Sequence, residues 1–496
     1  MNIRLRIATL AVLGTLASCA GRNQPSDPLS DLRNPKLGPT ARERAIRQSW
    51  ADAQAGKLDR TAVREDLKTV AWSRHWILAH RLAALDALLS DTEPKGAADA
   101  RDMVRLMLPR EQEPAITQIL AKTAAEREWK ETVPALVRSL SQPLTGVLDR
   151  DRPEAAAIAK LSPGQPLERV VYEVFLNPPE EGGAIVSSDK VRSDAWNLLA
   201  RLDTNGSIRT KFLEGEDGKS GPTDDIRAGL RDLHVIPVTG EELEWLFALR
   251  SGKTDDHRRW WDETSRAVGT LDAARVGTLQ LRYLEPIRWA SVHHTDWLAA
   301  DRATLLSELT NRFKGRKVFR RSTDSNERFR PPPERLEDWK NKLPWGDLLS
   351  VLVVDEALKH SDLTSSIFAQ VDMDRDDETS EYGGLLRTGL ESDHAIPSAF
   401  APVLFPPRPG SRRGDKEFIA SSDMLSQGDH ALAHYHFHVQ STNNGSFAGP
   451  SANDMLYAAR YGRTCLVFTS VSSSTLDVDL YTPDGAVLDL GEVRKP

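Results

Sequence analysis

The chain has 496 residues, enough for about three domains at roughly 150 residues each. Hydrophobic residues make up 40% and charged residues 28%, which excludes wholesale disorder, a collagen-like chain and a polytopic membrane protein. A net charge of −7 argues against a nucleic-acid partner, and two cysteines, Cys19 and Cys465, exclude a disulfide-stapled scaffold and a cysteine-rich zinc cluster.

Residues 1–18 begin with Arg4 and Arg6 and continue into an apolar run from Ile7 to Leu16, too short to span a bilayer and of the form of an export signal. The run ends in Leu16-Ala17-Ser18-Cys19, which resembles the lipobox of bacterial lipoproteins. That resemblance implies lipidation of Cys19 and an exported protein held at a membrane of the cell envelope by its lipid anchor. Residues 19–39, with Pro25, Pro28, Pro35 and Pro39, have the composition of an extended tether.

Residues 40–313 are expected to be helical. Leu78, Leu82, Leu85 and Leu89 fall on one helical face, and similar stretches follow at 98–108, 115–125, 133–140, 167–175 and 195–202. Thr239-Gly240-Glu241-Glu242 reads as a capping box opening a helix over 243–249, and another helix is expected at 297–309. Amphipathic helices in series with short breaks point to an all-α, helical-repeat-like region of the HEAT type, one or two subdomains long, with a surface for a protein partner. Residues 314–339 are basic and Pro-rich and read as a solvated linker, with contact to lipid head groups or an acidic partner as the functional alternative. Strand patterns follow in 340–496, at 349–354, 367–371, 432–439 and 465–471. A hairpin is expected from 476–481 to 486–490 and a helix at 452–461, giving a mixed α/β domain. Cys465 reads as a packed free thiol.

His434-Tyr435-His436-Phe437-His438 places three imidazoles on one face of a strand, with Tyr435 and Phe437 on the other. Three histidines in phase suit a borderline-soft metal better than a structural role. Further on, Ser451-x-x-Asp454 opens a helix, where an acid at the third position favours the helix start and can also turn back toward the strand end. Asp372-x-Asp374-x-Asp376 begins like a calcium loop but lacks the required glycine, so it reads as a solvated turn, and His293-His294 as a surface pair near a helix cap.

His436-x-His438 followed by Ser451-x-x-Asp454, with Glu381-Tyr382-Gly383-Gly384-Leu385-Leu386 upstream as a Glu-x-x-Gly-x-Leu element, resembles the signature of the JAB/MPN (JAMM) zinc metalloproteases. The similarity covers roughly residues 340–493. It implies a mixed α/β, cytidine-deaminase-like domain with zinc held by His436, His438 and Asp454, Glu381 as general base and Ser451 assisting the oxyanion. His434 is not a ligand position in that family and reads as a supporting residue behind the ligands. The loop 439–450 is longer than the family's, and residue 439 is Val where the family commonly has Pro, so substrate recognition is not carried over. The expected protein is thus a lipid-anchored zinc hydrolase cutting a peptide, isopeptide or other amide bond, with a non-catalytic scaffold lipoprotein as the alternative.

Overall fold

The structure, a computed structural model, describes residues 27–34, 36–179, 187–215, 221–251, 254–319, 329–389, 400–414 and 417–496. The expected signal segment and Cys19 lie outside the described residues. The chain divides into two compact units, one of residues 1–139 with 146–163, the other of 140–145 with 164–496.

The described residues of the first unit form helices joined by short turns, with no strand among them. Part of the segment expected as an extended tether is itself a helix, Pro28–Arg33. Asp27 caps it by accepting from the Leu29 and Ser30 amides, proline starts it, and Leu32 is buried, so local chemistry outweighs the proline content. The helix Leu78–Leu89 forms as expected, but its buried face runs through Ala84, Leu85, Leu88 and Leu89, and Leu78 is exposed. Arg64 and Asp91, both buried, pair with Nε to Oδ2 at 2.6 Å and fasten the helix Arg60–Trp72 to the end of Leu78–Leu89. Such a pair chiefly fixes geometry, because desolvating both partners consumes most of the attraction.

The second unit joins the remaining helices to a six-stranded mixed sheet: β1 Gly383–Thr388, β2 Phe400–Leu404, β3 Ala431–His438, β4 Cys465–Ser472, β5 Thr475–Tyr481 and β6 Val487–Arg494. Their order is β2-β1-β3-β4-β5-β6. Neighbours are antiparallel except β3 and β4, which are parallel and joined by the crossover helix Ala452–Tyr461. That helix covers one face over Cys465, Val467, Tyr481 and Val487. On the opposite face Tyr435 and Phe437 pack with Phe468, and the Tyr435 hydroxyl donates to Gln370 of the helix Ser361–Arg375.

Several expectations are corrected here. Residues 349–354 and 367–371 are not strands but lie in the helices Trp345–Ala357 and Ser361–Arg375. The first is apolar nearly all round and buried nearly all round, so it shows no helical stripe and its short apolar run is indistinguishable from a buried strand. The helix expected at 297–309 is broken into Thr295–Ala299 and Arg302–Phe313, the second capped by Asp301. Asp372 and Asp374 belong to the last turn of Ser361–Arg375 and Asp376 is its C-cap; Asp372 and Asp376 are exposed, as a solvated turn requires, but Asp374 is buried and accepts from the Tyr382 amide.

The division between units also falls elsewhere than at the basic segment. The helices of residues 164–313 belong to the unit that holds the sheet. Trp245 donates to the Asp429 carbonyl at 2.9 Å, Arg288 to the Thr388 hydroxyl at 2.8 Å, and Trp260 stacks on His430. The described part of the expected linker is likewise docked on β6: Arg316 donates to the Leu490 carbonyl at 2.7 Å, Lys317 pairs with Glu492 at 3.0 Å, and Glu334 is buried.

Candidate metal centre

Backbone alternation puts His434, His436 and His438 on the face of β3 covered by the Ala452–Tyr461 helix, and all three are buried. His436 Nε2 and His438 Nε2 stand 3.2 Å apart. His438 Nδ1 lies 2.9 Å from the Phe447 carbonyl, a partner that can only accept, so Nδ1 carries the proton and Nε2 presents a lone pair. At that separation a neutral His436 can donate from Nε2–H to His438 Nε2 as an ordinary hydrogen bond, and a cation between the two nitrogens can take the place of that proton.

Asp454 reaches the same place from the crossover helix. One carboxylate oxygen is 3.4 Å from His436 Nε2 and the other 3.8 Å from His438 Nε2. Ser451 caps the helix reciprocally: the Ser451 amide donates to Asp454 Oδ2 at 2.6 Å, and the Asp454 amide donates to Ser451 Oγ at 3.3 Å. The Ser451 hydroxyl proton is left to donate elsewhere. Burial raises the carboxyl pKa of Asp454, but His436, His438 and the Ser451 amide overcome it and hold the group far below the usual carboxylate range. Burial also disfavours charge on His436, yet Asp454, Glu381 and Asp374 outweigh it and raise its pKa.

Glu381 precedes β1 and is buried, with a carboxylate oxygen, His436 and His438 offering ligand atoms all within 4.8 Å of one another. The backbone around it is pinned: the Tyr382 amide donates to Asp374 at 3.0 Å, and the Phe437 amide donates to the Tyr382 carbonyl at 3.1 Å. Gly384 has no room for a side chain, since a Cβ would stand 2.1 Å from the Val403 carbonyl and 2.6 Å from the Tyr435 hydroxyl. The glycine of the Glu-x-x-Gly-x-Leu element therefore lets β1 lie close against both neighbours.

No family model, curated protein or solved structure matches the chain.

Of the residues singled out in sequence, Glu381, His436, His438, Ser451 and Asp454 come together. His434 lies to one side, with Nδ1 2.8 Å from the Tyr457 hydroxyl. Tyr457 meets Phe418 edge to face and Phe418 stacks on His436, so His434 bears on the centre through two rings. Burial, reinforced by Arg463, lowers its pKa well below the ordinary histidine value and keeps it neutral. Cys465 is a buried free thiol whose pKa burial raises.

Sequence reasoning missed Gln440. Its amide donates to Glu381 Oε1 at 2.9 Å, and its carbonyl accepts from Asn444 at 2.6 Å. Asn444 is itself held by the Ser441 hydroxyl at 2.7 Å and by its own amide on the Ser470 carbonyl at 2.6 Å. The loop 439–450 thus supports both Glu381, through Gln440, and His438, through Phe447. Only the loop's excess length signalled this in the sequence.

Proposed function

We propose that the chain is a zinc-dependent hydrolase of amide bonds, resembling the JAMM metallopeptidases, exported and held at a membrane by a lipid on Cys19. The observation that carries this reading is the convergence of Glu381, His436, His438 and Asp454 from three separated segments into one buried cluster. The donor set fits the ion: two imidazole nitrogens and a carboxylate, with one imidazole oriented by a backbone carbonyl, are the ligands of a catalytic zinc with an open position.

His436, His438 and Asp454 would hold the zinc, which supplies a water of lowered pKa and polarises a carbonyl. Glu381 takes the proton from the water as its oxygen bonds to the carbonyl carbon, then delivers it to the nitrogen as the C–N bond breaks. Gln440 holds Glu381 in position for both transfers. The Ser451 hydroxyl donates to the developing oxyanion while its oxygen keeps the helix cap. Substrate is a peptide or protein segment, and the helical unit, read as a HEAT-like array, offers a surface to a protein partner.

The test combines metal analysis with mutation. The purified chain should carry about one zinc; His436→Ala should lose it, and Glu381→Gln should keep it while losing cleavage of a peptide library. Absence of zinc, or full activity in Glu381→Gln, would overturn the reading in favour of a binding scaffold. Cys19→Ala should release the protein from membranes.

A further inference from the structure

A second group of acids, unused by the chemistry above, occupies the same face of the sheet. Asp477 and Asp479 alternate along β5, Asp489 of β6 pairs with Asp479 in register, and each of the three offers an oxygen within 4.8 Å of the others. Asp477 and Asp479 are 0% exposed and Asp489 5%. Glu334 closes in from the docked segment before the Leu336–Trp339 helix. Its carbonyl accepts from the Asp489 amide at 2.8 Å, and its side chain lies over Gly449, where a Cβ would stand 2.8 Å from Glu334 Oε1 and 3.9 Å from Asp479 Oδ2.

Asp489 is satisfied by the backbone, accepting from the Gly491 amide at 2.7 Å and the Phe319 amide at 2.8 Å. Asp477 and Asp479 are not: apart from hydrogen bonds that the three acids can share among themselves when protonated, none of their four carboxylate oxygens has a partner among the described residues. Of the basic side chains nearby, Arg316 pairs with Asp355 at 2.7 Å and Lys317 with Glu492 at 3.0 Å, and neither hydrogen-bonds Asp477 or Asp479. Ionised carboxylates taken fully out of water without a counter-charge are too costly to persist, so the cluster requires cations or protons.

We propose that Asp477, Asp479 and Asp489, with Glu334 alongside, form a calcium site. The donors are all oxygen, which selects a hard cation over zinc. Carboxylates can supply the six to eight oxygens that calcium takes, whereas magnesium keeps several waters, for which two fully buried aspartates leave little room. The ion would clamp β5, β6 and the docked segment around Glu334, and its enclosure suits a structural rather than a catalytic role.

The experiment uses the full-length chain. After removal of divalent ions, calcium is added and both bound calcium and the melting temperature are measured for wild type, His436→Ala and the double variant Asp477→Asn/Asp479→Asn. The site predicts about one calcium per chain and a rise in melting temperature of roughly 5 °C or more in wild type. His436→Ala should retain both responses, and the double variant should lack both. No bound calcium and an unresponsive melting temperature in wild type would overturn the site and leave the carboxyls sharing protons. Should the double variant fail to fold, calcium titration of wild type by calorimetry decides alone. Zinc content follows His436 and calcium content follows Asp479, so either site can fail without the other.

Discussion

At the scale of single residues, Gln440 and Glu381 form the most informative pair. In the proposed reaction, replacing Glu381 by Gln would remove the proton acceptor and leave the metal-holding residues, so hydrolysis should fall about 10²- to 10⁴-fold at unchanged zinc content. Gln440→Ala removes a hydrogen bond to a carboxylate, worth about 1.5 kcal/mol, and should lower kcat about tenfold with zinc retained. Gln440→Glu, which sets a second acid beside Glu381, should lower it further. Single-turnover cleavage with parallel metal analysis separates these outcomes from loss of the metal. Ser451 serves two ends, and Ser451→Ala should therefore cost about 1 kcal/mol of stability through the lost cap as well as a fall in kcat.

At the scale of elements, the acidic row on β5 and β6 makes stability depend on pH. In a chain freed of divalent ions, burial and the neighbouring Asp489, Glu334 and Glu492 push the Asp477 carboxyl up to about 9. Burial likewise raises Asp479 well above its ordinary value and Asp489 to about 6, with the Gly491 and Phe319 amides, then Asp477 and Arg316, opposing the last. The folded state then keeps protons that the unfolded chain releases near pH 4, so stability should fall as pH rises from about 4 to about 9. Calcium should flatten that slope, and melting curves across the range with and without it measure the effect. The same elements show what sequence could reveal. His436, His438, Ser451 and Asp454 were legible because strand alternation and a capping box are local patterns, and the helix Ala452–Tyr461 and both strands of the final hairpin follow from them. Trp345–Ala357 was not, because a helix buried on every side shows no period. Gln440 was not, because its role depends on Asn444 and Glu381 meeting across the fold.

At the scale of the whole molecule, the helices of residues 164–313 are part of the unit that carries the candidate site. Arg282 pairs with buried Asp347 at 3.2 Å and with Asp484 at 2.6 Å, and Trp260 and Arg288 both bond Glu285, which also takes the Thr388 hydroxyl. A fragment of residues 340–496 would leave Asp347, Thr388 and His430 without these partners, and it should be insoluble or melt without cooperativity. A fragment beginning at residue 164 should melt cooperatively and bind zinc. Gly383, His436, Val467, Asp479 and Asp489 are successive partners in a single row across five strands. Because side chains alternate, a slip of one residue in the pairing of β3 with β4 or of β4 with β5 would turn part of that row to the opposite face. Histidines and aspartates would then no longer share a side, and the row would act as a check on its own alignment: a chain that bound both proposed ions would have paired its strands correctly.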